Sequence, residues 1–202
     1  MRSFSEIETI SKRASRGAGF SWGVSEEIGK SIRLLEMFGL PGILHLKNYL
    51  EKINNHNYQK ITIISGDNIS NNIPYCPISV GVNFLDQAYN LEKIKNINFS
   101  NLAYPLLVVP FLSRSSEMIG KKILLNLENF KFLFNYNQSI LSNFDNSLIS
   151  KTTNFLISFN QNEDSFDEIT WDSLYKISQK TFVDETESSK KTSAGAGLTD
   201  ND

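Results

Sequence analysis

Along the first third of the chain, apolar residues return every three or four positions, the spacing that gathers them on one face of a helix. Ser3 and Glu6 stand as a capping box, and Ile7, Ile10 and Ala14 follow them, which predicts a helix over Ser5–Ser15 stopped by Gly17. A second helix is expected over Trp22–Phe38, with Ile28, Ile32, Leu35 and Phe38 on one face and Gly39 as its stop. Pro41 suits a first helical position, so Pro41–Ile53 reads as a third helix that turns Ile43, Leu44, Leu46 and Leu50 inward. The polar run Asn54–Asn57 follows.

After that run the period changes. Tyr58–Ile64 is β-rich, and Gly66-Asp67-Asn68 reads as a turn. Ile78–Tyr89 reads as a short helix carrying Val82, Leu85 and Ala88. The longest apolar run, Leu102–Leu112, is far below the ~20 residues that span a bilayer. It reads as a buried strand bounded or broken by Pro105 and Pro110, with a helical turn over Ser113–Ile119. Lys122–Leu127 and Lys131–Tyr136 flank Glu128-Asn129 as a hairpin would, and Thr152–Phe159 is another strand. Thr170 is the expected cap of a last helix, Trp171–Lys180, with Asp172 in its first turn. Helices first and mostly antiparallel strands afterwards predict a single α+β domain over residues 1–182. A tail rich in Gly, Ala and acidic residues occupies 183–202.

Composition narrows the function. The 202 residues suffice for one ordinary domain, and 20 Lys+Arg against 22 Asp+Glu argue against non-specific nucleic-acid binding. One cysteine excludes an intrachain disulfide framework, and two histidines exclude most zinc sites. Gly-x-x-x-x-Gly-Lys-Ser/Thr, Gly-x-Ser-x-Gly and His-Glu-x-x-His are all absent. The N-terminus turns acidic where a signal peptide carries its apolar core, so the expected location is cytoplasmic. No cofactor, metal, membrane or nucleic-acid partner is expected, whereas a homo-oligomer is compatible with the sequence.

Glycine and arginine concentrate where chemistry is most plausible. Six of eleven glycines lie between Gly17 and Gly42, and Arg2, Arg13, Arg16 and Arg33 are four of the five arginines. A glycine-rich turn feeding a helix N-terminus presents free backbone N–H groups to an anion, and Arg16 would add a guanidinium clamp. Arg13, Arg16, Gly17, Gly19 and Trp22 are therefore the N-terminal candidates for ligand binding. The spacing Gly17-x-Gly19-x-x-x-Gly23 misses the dinucleotide fingerprint and follows a helix rather than a strand. A tight helix–helix corner with Trp22 on the core is the competing reading. Glu26 and Glu27 are the candidate catalytic carboxylates, with a pKa raised near Trp22. Cys76 is either a nucleophile ahead of a helix, with His45 and His56 the available bases, or a small buried hydrophobe. In the tail, Gly195 and Gly197 would hinge, while Asp200, Asn201 and Asp202 would carry acids toward Arg13 and Arg16.

These same segments resemble an uncharacterised bacterial family, domain-of-unknown-function family 3726. The resemblance lies in Arg16-Gly-Ala-Gly-Phe-Ser-Trp-Gly23 with Glu26-Glu27-x-Gly29, in Leu40-Pro-Gly42 and in Cys76-Pro-Ile-Ser-Val-Gly81. It extends to Pro105-Leu-Leu, Pro110-Phe-Leu112, Thr186-Glu-Ser-Ser189 and Ala194-Gly-Ala-Gly-Leu-Thr-Asp-Asn-Asp202. Asp184 and Lys190 depart from the family pattern, which has proline and arginine there. The resemblance implies that the tail belongs to the working structure, docked on the domain or on a partner, and implies no reaction. The expected function is an enzyme or enzyme-like binder of a small anionic metabolite. The alternatives are a non-catalytic accessory subunit whose tail inserts into a partner protein and, third, an oxygen-ligand metal site of the tail with Glu26 and Glu27.

Overall fold

A computed structural model describes residues 2–160 and 163–182. Its contacts divide the chain into one unit reaching residue 162 and another beginning at Glu163. The composition change alone places the boundary some twenty residues later.

The first unit opens with three helices, α1 (Phe4–Gly17), α2 (Trp22–Met37) and α3 (Gly42–Lys52). Ser3 Oγ accepts the Glu6 N–H at 3.1 Å, satisfying one orphan donor at the start of α1, while the Glu6 carboxylate pairs with Arg2 instead of reaching back. The helix runs through Gly17 and ends at Ala18, slightly beyond the expected stop. Small residues set the α1–α2 contact: Ser11 and Ser15 are buried on one helix, Ser25 and Gly29 on the other. A Cβ on Gly29 would lie 2.8 Å from the Glu8 carbonyl oxygen, so the backbones approach closely there. Ile28, Ile32 and Leu35 face the core as their spacing predicts. On α3 the inward set differs from expectation. Ile43 and Leu44 are exposed, and His45, Leu46 and Tyr49 are buried, because they share the helix face on which Gly42 packs against Leu35.

The expected strand Tyr58–Ile64 is absent; the segment makes one bridge, Gln59 with Tyr75. Its backbone is held by side chains of α4 (Pro77–Leu91) instead. Ser79 Oγ accepts the Ile61 N–H, Asn83 donates to the Ile61 carbonyl, and Gln87 bonds to both Thr62 and Ile64. Residues 79, 83 and 87 lie one turn apart, so a single polar stripe replaces a strand partner.

Asp67–Asn68, expected as a turn, forms the short strand β1, paired in parallel with β2 (Asn96–Phe99). The Leu102–Leu112 strand is also corrected. Only Leu102–Ala103 (β3) is extended; Tyr104 then takes φ 40°, a single 3-10 turn spans Pro105–Val108, and α5 covers Val109–Ile119. Pro105 and Pro110 lack the N–H a central strand needs, yet both fit first helical turns, where that N–H has no partner anyway. The Glu128-Asn129 hairpin forms as expected between β4 (Ile123–Leu127) and β5 (Phe130–Asn135). Next come β6 (Ser139–Ser142), β7 (Lys151–Thr152), which pairs with β3, and β8 (Phe155–Phe159); the expected single strand Thr152–Phe159 is thus two.

The main sheet runs β1-β2-β8-β4-β5-β6 and is antiparallel except for β1–β2, an α+β architecture as expected. Ile97, Phe99, Ile123, Leu125, Phe155 and Ile157 alternate onto its buried face and join α2–α5 in one apolar core. In the second unit, α6 covers Glu168–Ser178. Asp167 caps it by accepting the Thr170 N–H, so Thr170 is the donor and not the expected cap. Among the described residues, no helix is long and apolar enough to cross a membrane.

Candidate functional site

The turn after α1 spends its own amides. The N–H groups of Ala18, Gly19 and Phe20 donate to the carbonyls of Ala14, Arg16 and Ser15, closing the helix end. Those three amides are therefore not free for an anion. Arg16 folds back, donating from Nη1 to the Phe20 carbonyl at 2.8 Å and lying 5.2 Å from the centroid of the Trp22 ring. Lys12 approaches the same ring, and Trp22 is 58% exposed rather than packed on the core.

Gly19 takes φ +97°, a conformation that side chains resist, while Gly17 and Gly23 have ordinary φ and open space where a Cβ would go. We expect Gly19→Ala to cost about 1 kcal/mol or more, and Gly17→Ala and Gly23→Ala to be neutral or stabilising by up to about 1 kcal/mol. Thermal or urea midpoints of the three variants check this order.

The candidate carboxylates are engaged in ion pairs. Glu26 pairs with Lys12, and that hydrogen bond and charge hold its carboxyl below the usual range. Burial pushes the Glu27 carboxyl up, but hydrogen bonds from Lys30 and from Arg114 of α5 outweigh it, and the net direction is downward. Both shifts run opposite to the raised value a general acid needs. Arg13 is exposed and makes no ion pair among the described residues. Gly195, Gly197, Asp200, Asn201 and Asp202 lie outside the described residues.

Gly19 does, however, line a cavity of about 290 Å³ together with Ala18 and Phe20. Tyr49 enters it from the C-terminal half of α3 and Ile53 from that helix's C-cap, and His56, Asn57, Tyr58 and Lys60 close the side after it. Cys76 completes it from the α4 N-cap, where its Sγ accepts the Ser79 N–H at 3.4 Å. The Tyr49 hydroxyl is 3.1 Å from the same sulfur, buried, with its pKa driven upward by burial and by Cys76. Burial also raises Tyr58, whose ring lies 5.2 Å from that of Tyr49. Lys60, His56 and Asn57 are exposed at the rim.

Of the residues selected from sequence, the cavity gathers Gly19 and Cys76, while Arg16, Gly17, Trp22, Glu26 and Glu27 are not among its lining. Tyr49, Tyr58 and Lys60 escaped selection, while His56 figures only as a base for Cys76. Tyr49 sits three residues after Leu46 and reads as core, and the others sit in or next to the polar run after α3, which reads as a loop. The aromatic residue that breaks that run, Tyr58, is the signal that marks the place.

These features define an α+β protein with a metabolite-sized cavity beside a helix N-terminus. Residues 2–73 match the model of a family described as protein of unknown function (DUF3726), the family that the Arg16–Gly23 and Leu40–Gly42 segments resemble. The matched span contains α1–α3 and the His56–Lys60 wall of the cavity. No curated protein and no solved structure matches the chain.

Proposed function

We propose that the protein is an enzyme or enzyme-like binder of a small organic anion, held in the cavity between the Ala18–Phe20 turn and Cys76. The observation that carries this reading is the convergence of chain-distant segments on one concave space with cationic Lys60 and the imidazole of His56 at its rim. Lys60 supplies a charge-assisted hydrogen bond to the anion. Arg16 acts indirectly, holding the Phe20 carbonyl and with it the wall of the cavity. Glu26 and Glu27, committed to Lys12, Lys30 and Arg114, serve as ties between helices on this reading. Calorimetric titration with phosphate, oxalate, succinate and benzoate tests it. At least one anion should bind, and Lys60→Met should weaken that binding about tenfold or more. Equal affinity for wild type and Lys60→Met would remove the reading.

A second reading, a non-catalytic accessory subunit, is favoured by α6, where Trp171, Leu174, Tyr175 and Ile177 are all exposed on a helix with no buried residue. If complexes formed in the native host persist with a chain ended at residue 162, this second reading is lost.

A further inference from the structure

Resting on the binding reading above, we infer that the ligand of this cavity is a planar aromatic acid, seated with its ring inward and its carboxylate at the rim. The polar groups of the cavity are sorted by depth. Lys60, His56 and Asn57, which interact with an anion readily, are exposed. Inside, Phe20 and Tyr58 are half-buried and Tyr49 and Cys76 are buried.

The buried hydrogen-bonding groups already have partners, and the half-buried Tyr58 adds a single hydroxyl. Tyr49 and Cys76 bond to each other, the Cys76 N–H donates to the Gln59 carbonyl, and the Ala18, Gly19 and Phe20 amides close the turn. A sugar or polyol acid entering this space would strip water from several hydroxyls and regain only a few of those hydrogen bonds. A ligand with an apolar body and one anionic end loses nothing of that kind.

The walls select the shape of the body. Four of the ten lining residues carry aromatic rings, with Phe20 and Tyr49 centroids 6.4 Å apart and His56 and Tyr58 at 6.5 Å with planes 20° apart. Flat π-faces and edges gain most from another flat π-system, through offset-stacked or edge contacts. The volume, about 290 Å³, lies just below the roughly 300–1,000 Å³ seen for ligand pockets, which suits a single ring system.

The test titrates the full chain with benzoate, cyclohexanecarboxylate and benzyl alcohol, which share size while differing in planarity or charge. Benzoate is expected to bind about tenfold more tightly than either of the others. The preference over cyclohexanecarboxylate should fall to about twofold in Tyr58→Leu and shrink also in His56→Leu, an exposed position whose replacement leaves the core untouched. Equal binding of benzoate and cyclohexanecarboxylate would overturn the aromatic assignment and leave the anion reading standing. Equal binding of benzoate and benzyl alcohol would overturn the anion reading itself. Binding of none of the three would overturn the aromatic assignment, and the phosphate, oxalate and succinate titrations then decide the anion reading separately.

Discussion

Gly81→Ala is expected to be the most damaging single substitution in the protein. Gly81 is buried in α4 where that helix meets α5, and a Cβ there would collide with the ring of Phe111, itself fully buried. Neither partner has room to give. The ring is enclosed, and the helix backbone carries the Cys76 N-cap at one end and the polar stripe that holds residues 61–64 along its length. Core overpacking ordinarily costs about 1–3 kcal/mol, and this case belongs at or above the upper end. Urea unfolding measures it as a fall in midpoint with little change in slope. A double-mutant cycle assigns the cause: in a Phe111→Leu background, adding Gly81→Ala should cost clearly less than in wild type. Additive losses would mean that the clash lies elsewhere.

His45 is expected to dominate the pH dependence of stability in mildly acidic solution. It is fully buried, with Nδ1 donating to the Pro41 carbonyl at 2.8 Å and Nε2 accepting the Ile149 N–H at 3.3 Å, which fixes a neutral ring in one tautomer. Burial lowers its pKa below 6.5, only partly opposed by the Pro41 hydrogen bond. Above the unfolded value both states are neutral and the stability is fully present. As pH falls below about 6.5 the unfolded chain takes up a proton that the native ring refuses, and stability drops by up to about 1.4 kcal/mol per pH unit until the folded pKa is reached. The carboxyls held low, Glu26 and Glu27 among them, lose their contribution only at more acidic pH, below about 4.5. Urea midpoints between pH 7.5 and 5 should therefore slope downward in wild type and flatten in His45→Gln. At pH 7, His45→Ala should cost about 2–4 kcal/mol through the cavity it leaves and the orphaned Ile149 N–H. An unchanged slope in His45→Gln would place the titrating group elsewhere.

The parts of the fold legible in the sequence are those whose partners lie close along the chain. The Ser3 cap, the Ile28, Ile32 and Leu35 face, and the Glu128-Asn129 hairpin each depend on residues a few positions apart, and each forms. Residues 58–64 carry β-branched side chains, yet the backbone of 61–64 bonds to the side chains of Ser79, Asn83 and Gln87, a pairing no local pattern announces. Leu102–Leu112 has the hydropathy of a strand, and the prolines decide for helix. The cavity divides in the same way. Gly19 was visible because a left-handed turn needs glycine, and Cys76 because it precedes Pro77 at a helix start. Tyr49 and Lys60 come together only when the 54–60 segment folds back beside α3.

A planar aromatic acid is expected to occupy the cavity of Gly19, Tyr49, Tyr58, Lys60 and Cys76. Backbone amide shifts recorded while benzoate is titrated into the full chain test it most directly. The largest saturable shifts are expected at residues 18–20, 56–60 and 76, with Glu26 and Glu27 little moved. Saturable shifts centred on the Glu26–Glu27 ion pairs, or none within the cavity lining, would contradict it.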